Sequence, residues 1–212
     1  MNRKLSLLII GFAILSSLHV YSQLKYGLYG GINFTGITTQ IPNVRNLPVD
    51  QGGANLMLGG YCSYELARSF ELEAGLNYFG KGYTYEQIGE YDIPYDFYNT
   101  MKTVSLPVTL MYYYIGKDDY GEFIENLRLG VGGGFYTAYT LSGKITDEDG
   151  NITVAGFSNT NRLDLGARIM FKVVMNKFEV FFVKEFGLTN TIKDGSANLK
   201  QNALNMGVGI HF

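Results

Sequence analysis

The 212-residue chain has no tryptophan, one cysteine, four prolines and two histidines, and only 17% of its residues are charged. Each shortage closes off a class of protein. A single cysteine, Cys62, cannot build a disulfide scaffold. It is expected to pack as a small apolar side chain. A net charge of −2 gives no electrostatic footprint for nucleic acid. Past residue 22 no apolar run approaches the roughly 20 residues that a spanning helix needs. What the chain does have is 27 Gly, 17 Tyr and 14 Phe. Aromatics at 15% exclude a disordered chain. A β-rich barrel or sandwich remains.

The first 22 residues read as an export signal. Arg3 and Lys4 precede an apolar stretch, Leu5 to Leu15, which is too short to span a bilayer. A short polar segment follows and ends in Val20-Tyr21-Ser22, which places cleavage before Gln23. The expected division is therefore residues 1–22 as signal peptide and 23–212 as one barrel domain. No cysteine stands at the cleavage point, as a lipoprotein would need. Removing the signal leaves 15 basic and 19 acidic residues, a net charge of −4, with His211 as the one remaining histidine.

The rest of the chain repeats segments of about ten residues with alternating character, the pattern of a membrane barrel. Eight such segments occur, at about residues 25–34, 55–66, 70–78, 103–114, 127–139, 162–173, 178–189 and 203–212. In the second, Leu56, Leu58, Gly60, Cys62, Tyr64 and Leu66 oppose Asn55, Met57, Gly59, Tyr61, Ser63 and Glu65. In the fifth, Leu127, Leu129, Val131, Gly133 and Phe135 oppose Arg128, Gly130, Gly132, Gly134 and Tyr136. The seventh is the least clean, because Phe181 and Val183 share a face with Glu179 and Glu185. The connections alternate strictly. Residues 67–69, 115–123 and 175–177 are the shorter links, while 36–53, 80–99, 141–159 and 190–198 are the longer ones. Short periplasmic turns and long outer loops produce this alternation and leave both termini in the periplasm. The expectation is an all-β, eight-stranded, antiparallel, up-and-down outer-membrane barrel. Its last strand, Leu204, Met206, Val208, Ile210 and Phe212, has the alternating form with a terminal aromatic that the barrel assembly machinery reads.

Four stretches carry a family resemblance: Ser105-Leu106-Pro107-Val108, Leu129 to Phe135 (LGVGGGF), Arg162 to Ala167 (RLDLGA) and Gly187-Leu188-Thr189-Asn190. With them the chain resembles the small outer-membrane β-barrel family of Bacteroidetes that includes PorT-like proteins. The likeness covers essentially the whole mature chain, and its motifs are architectural. It implies an outer-membrane location and, for PorT itself, a part in type IX protein secretion. The segment around residue 130 lacks the Arg-Pro-Tyr run of PorT proper.

Catalysis is not expected. A serine hydrolase needs a histidine beside its nucleophile, and His211 lies one residue from the chain end, at the expected periplasmic rim. One histidine cannot build a zinc site, so neither metal nor cofactor is expected. Gly130 to Gly134 lies inside a strand and lacks the Lys-Ser/Thr ending of a phosphate loop; its glycines read as space for tyrosine side chains. Eight strands enclose a lumen that side chains just fill. The inward residues Lys25, Arg128, Arg168 and Lys172 should pair there with Glu65, Glu71, Glu73 and Glu179, because an unpaired buried charge is costly. A salt-bridged plug is the expected outcome; a proton or ion path is the alternative. Specific function then falls to the loops. Tyr83, Tyr85, Tyr91, Tyr95 and Tyr98 are interleaved with Glu86, Glu90, Asp92 and Asp96, and Asp147 to Asn151 has a faint calcium-loop look but also a strong Asp-Gly turn signal. The expected role is non-catalytic, structural or interactive, with outer-membrane lipid, the assembly machinery and an envelope or secretion protein as partners. A narrow transport or small-ligand barrel is the alternative.

Overall fold

A computed structural model describes residues 24–40, 51–88, 94–117, 123–146, 152–155, 161–190 and 198–212. The expected signal peptide, the Asp147–Asn151 stretch, Glu90, Tyr91 and Asp92 lie outside the described residues.

Among the described residues ten strands form, and eight of them close a barrel. These eight are β1 (Leu24–Gln40), β3 (Ala54–Ala67), β4 (Phe70–Ile88), β5 (Pro94–Lys117), β6 (Phe123–Thr146), β8 (Leu163–Met175), β9 (Phe178–Gly187) and β10 (Asn198–His211). Each pairs antiparallel with the next, and β10 returns to β1 along Gly27↔His211 through Gln40↔Asn198. Closure leaves no free edge within the barrel wall. At the seam the Phe212 N–H donates to the Tyr26 carbonyl at 2.7 Å, and the Tyr26 N–H donates back to the Phe212 carbonyl at 3.2 Å. Two short strands lie outside the ring: β2 (Gln51–Gly52) on β4 and β7 (Ile152–Ala155) on β6.

The side-chain alternation follows directly from the pleat, whose period of two turns successive residues to opposite faces. On β9 every residue from Phe178 to Gly187 alternates between exposed and buried. The exposed set is apolar: Leu56 is 81% exposed, Phe135 71% and Val208 63%. Such a belt of leucine, valine and phenylalanine suits lipid rather than water. Tyr26, Phe70, Tyr112, Tyr114 and Phe178 ring its lower edge, and Phe34, Tyr78, Tyr139 and Phe186 its upper edge. Paired aromatic girdles of this kind mark the two membrane interfaces.

One end, called here the near mouth, holds Leu24, His211 and the tight turns Arg68-Ser69 and Asn176-Lys177. Asn176 takes a φ of 53°, a left-handed conformation that asparagine tolerates better than most residues. At the far end the expected long loop at residues 80–99 is corrected. Here β4 runs on to Ile88 and β5 starts at Pro94, paired from Gly80↔Lys102 to Ile88↔Pro94. Tyr83, Thr84, Tyr85, Phe97 and Tyr98 favour strand wherever a partner strand is present, with or without a lipid face. Likewise β1 continues to Gln40 and β6 to Thr146, inside stretches expected to be loop.

Candidate functional site

The lumen holds the unusual chemistry, and it is arranged in tiers. Nearest the near mouth, Lys25 Nζ lies 2.7 Å from Glu71 and 3.3 Å from Glu65, while Arg128 Nη1 lies 2.7 Å from the same Glu71 oxygen. Ser63 Oγ donates to the other Glu71 oxygen at 3.3 Å. Arg128 also lies over the Tyr113 ring, 4.6 Å from its centroid.

The next tier centres on Lys172, which is 1% exposed. Its ammonium spans both Glu73 oxygens, at 2.8 and 2.9 Å, and lies 3.3 Å from Glu179. Tyr113 donates its hydroxyl to Glu73 at 2.9 Å and Tyr61 donates to Glu179 at 2.6 Å. The Lys172 ammonium sits 4.2 Å from the Tyr61 ring centroid as well. Every N–H of this ammonium thus has an acceptor or a π face to meet, which a buried cation requires.

A third tier lies toward the far end. Lys81 Nζ is 3.2 Å from Asp164 and 3.0 Å from the Gln201 side-chain oxygen. Tyr136 and Thr189 donate to the two Asp164 oxygens at 3.1 and 2.8 Å. A layer of mixed apolar and polar side chains separates this tier from the one below. On β4 Asn77 and Phe79 stand between Glu73 and Lys81; on β9 Phe181 and Val183 stand between Glu179 and Glu185; on β8 Met170 and Arg168 stand between Lys172 and Asp164. Met57 packs with them from β3. Asn33 and Asn205 hydrogen-bond to each other, as do Tyr29 and Asn77.

Of the eight lumen charges read from the sequence, seven fall into the two lower tiers. Arg168 stands apart. It is 6% exposed, lies opposite Glu185 in the β8–β9 register, and its Nε has no hydrogen-bond partner among the described residues. The same is true of Glu185 Oε1. Arg168 borders two small voids of about 10 and 20 Å³, each room for about one water molecule.

Three charged members were missed. Asp164 and Glu185 already lay on inward faces by their parity, while Lys81 fell in a stretch expected to be loop. Extending the alternation of Glu71, Glu73 and Asn77 by two more steps would have found it. The inward glycines leave room for the tyrosines: a Cβ at Gly130 would come within 2.6 Å of the Tyr113 ring, and one at Gly166 within 2.3 Å of the Tyr136 ring. On β10, Leu204, Val208 and Ile210 face outward with Phe212 beyond them, and Met206 shares their face half-buried.

Among the described residues no cluster of histidine, cysteine and carboxylates could hold a metal ion. What the arrangement can do is fill and lock a narrow lumen.

Solved barrels share the outline. Ail, the attachment invasion locus protein of Yersinia pestis crystallised with the heparin analogue sucrose octasulfate, is 12% identical, with 90% of this chain and 99% of that one aligned at a TM-score of 0.46. Neisserial surface protein A is 9% identical over 88% and 97%, also at 0.46. No curated protein matches the sequence. The family model for the outer membrane protein beta-barrel domain matches residues 16–193, most of the chain's length, and the chain belongs to that family.

Proposed function

We propose that this protein is a non-catalytic outer-membrane barrel whose lumen is a closed, salt-bridged plug and whose specific role lies in its far-end loops. The carrying observation is the filling of the lumen: charges are paired at both levels, and between them Phe79, Phe181, Val183, Met57 and Met170 pack beside Asn77, Asn205 and Arg168, leaving voids of only about 10 and 20 Å³. An ion path would need a continuous water-filled space, and among the described residues this level holds only those small voids. In this reading residues 1–22 are a cleaved export signal, and the near mouth, with its tight turns and both chain ends, faces the periplasm. The far-end extension of β4, β5 and β6 then stands outside the cell, where it can meet a partner. A PorT-like accessory role in an envelope or secretion complex is consistent with this geometry, as is assembly through the Leu204–Phe212 strand.

The purified barrel should show no sustained conductance in a planar bilayer. Steady wild-type channels whose ion selectivity changes in Glu73→Gln would overturn the plug and establish a narrow transport barrel instead.

A further inference from the structure

On β4 and β5 the outer wall is apolar up to Tyr78 and Val104, a register pair that Tyr139 on β6 extends into one row of the upper girdle. Directly above that row four polar residues form a square, and we propose that it binds the phosphate of a membrane lipid headgroup. Lys102 pairs with Ser142 and Thr100 with Lys144, so lysine and hydroxyl alternate around the square. All four side chains are exposed. The pair between them, Met101 and Gly143, belongs to the inner wall, with Met101 only 4% exposed.

A β-bulge builds the square. The pairing steps from Thr103↔Thr140 to Lys102↔Ser142 and leaves Leu141 as the extra residue. Below the bulge the outward residues of β6 are odd-numbered, among them Val131, Phe135 and Tyr139; above it Ser142 and Lys144 face out. Without the extra residue Lys144 would turn into the lumen and leave Lys102 alone on the wall. Re-aiming a side chain is a known use of bulges. Here it makes the two lysines diagonal neighbours, about 7 Å apart at their bases, so both flexible stems can converge on one phosphate.

No register position beside the square supplies a countercharge. Lys102 is flanked across the strands by Gly80 and Ser142, and Lys144 by Thr100 and Ala155. The diagonal positions on β4 and β5 hold Tyr78, Gly82 and Tyr98, none of them acidic. Among the described residues neither lysine forms an ion pair. The square begins about 7 Å along the strand beyond the girdle row, at the level where headgroups meet a barrel whose aromatics mark the interface. A phosphate there takes N–H donors from both ammoniums and O–H donors from Thr100 and Ser142. The acyl chains then lie down the apolar wall over Leu106 and Phe135, both well exposed. A phosphate monoester suits the square better than a diester capped by choline, which brings its own cation. The lipid belongs to the leaflet at the far end, which the orientation proposed above makes the outer one; a test in micelles does not depend on that orientation.

The chain contains no tryptophan, so Leu163→Trp, an outward position paired with Tyr139, supplies a single fluorophore beside the square. The reporter barrel is refolded in dodecylmaltoside micelles doped with phosphatidic acid or phosphatidylcholine carrying the same dibrominated chains. Phosphatidic acid should quench at about one-tenth the mole fraction that phosphatidylcholine needs, as two lysines near a lipid phosphate imply. Lys102→Gln/Lys144→Gln in the reporter should make the two lipids equal, and Lys102→Gln alone, which decides the matter if the pair fails to fold, should reduce the preference about threefold. Lys184→Gln removes an outer-wall cation between Phe182 and Phe186, away from the square, and should keep the preference. Heat-modifiable gel mobility confirms that each variant is folded. Equal quenching by both lipids in the reporter, or a full preference in the lysine variants, would overturn the proposal. So would an equal loss in Lys184→Gln, which would reduce the effect to general surface charge. Inorganic phosphate that abolished the preference at the lipid's own concentration would assign the square to a free anion instead.

Discussion

The inner and outer walls of this barrel are built from the same strands, often from adjacent residues, and obey different rules. Every carboxylate whose side chain is described (Glu65, Glu71, Glu73, Asp164, Glu179 and Glu185) sits on the inner wall. The outer wall carries leucine, valine, isoleucine, tyrosine and phenylalanine at exposures that would be unusual on a water-soluble protein. The inner wall is held by particular partners at particular distances; the outer wall needs only to be apolar. The same substitution should therefore have opposite consequences one residue apart.

The largest effect expected comes from the inner wall. Lys172→Met leaves Glu73 and Glu179 facing each other without their shared cation, and breaking a buried pair in this way costs about 3–5 kcal/mol. Urea unfolding of the refolded barrel should show it, and an unchanged midpoint would mean that the tier is not a structural unit. Next in size are charges on the outer wall. Leu106→Arg and Val131→Arg near mid-membrane should each cost about 2–4 kcal/mol, read as a loss of the folded band on heat-modifiable gels. Glu65→Gln on the inner rim, where the side chain is 36% exposed, should be far milder. The finest test uses neighbouring glycines on β6. A Cβ at Gly134 would sit 2.0 Å from the Val108 carbonyl oxygen, whereas one at Gly133 meets nothing closer than the Arg168 carbonyl at 3.9 Å. Gly134→Ala should cost about 1–3 kcal/mol through forced backbone shift, and Gly133→Ala should stay within about 0.5 kcal/mol of wild type. Equal effects from the two would undo the assignment of faces.

This contrast also explains which parts of the molecule could be read from the sequence. A lipid face imposes a strict period of two, so Leu56 to Leu66 and Leu127 to Phe135 declared their strands and their outward residues. Above the membrane that demand disappears. The β4–β5 hairpin continues on tyrosine and threonine propensity alone, and Lys81, three residues past the outward aromatic Tyr78, looked like the beginning of a loop. On β6 the register shifts between the pairs Lys102↔Ser142 and Thr103↔Thr140, so Leu141 and Ser142 are both exposed and the parity below the shift does not carry past it. The lumen tiers were legible as a set of charges but not as pairs. Lys172 meets Glu73 from 99 positions away, and such meetings depend on strand tilt and stagger around the whole ring, which no single strand encodes. Arg168 shows the limit: its parity places it inside, yet its register partner Glu185 leaves its Nε unsatisfied.

The unequal strand lengths have a consequence for association between molecules. Ten residues of β9 cover about 33 Å along the strand, about what a tilted crossing of the apolar band of roughly 25 Å requires. The 24 residues of β5 cover about 80 Å, so the sheet of β4, β5 and β6 rises well above its neighbours as a palisade. A palisade, unlike a closed ring, has two flanks of unpaired backbone that could recruit strands from another molecule. Here both are occupied: Gln51-Gly52 pairs along β4 at Tyr83-Thr84, and Ile152–Ala155 pairs along β6 at Lys144–Thr146. The two shortest strands thus act as selvedges, and a protein trimmed of either one should be prone to stitch itself to its neighbours.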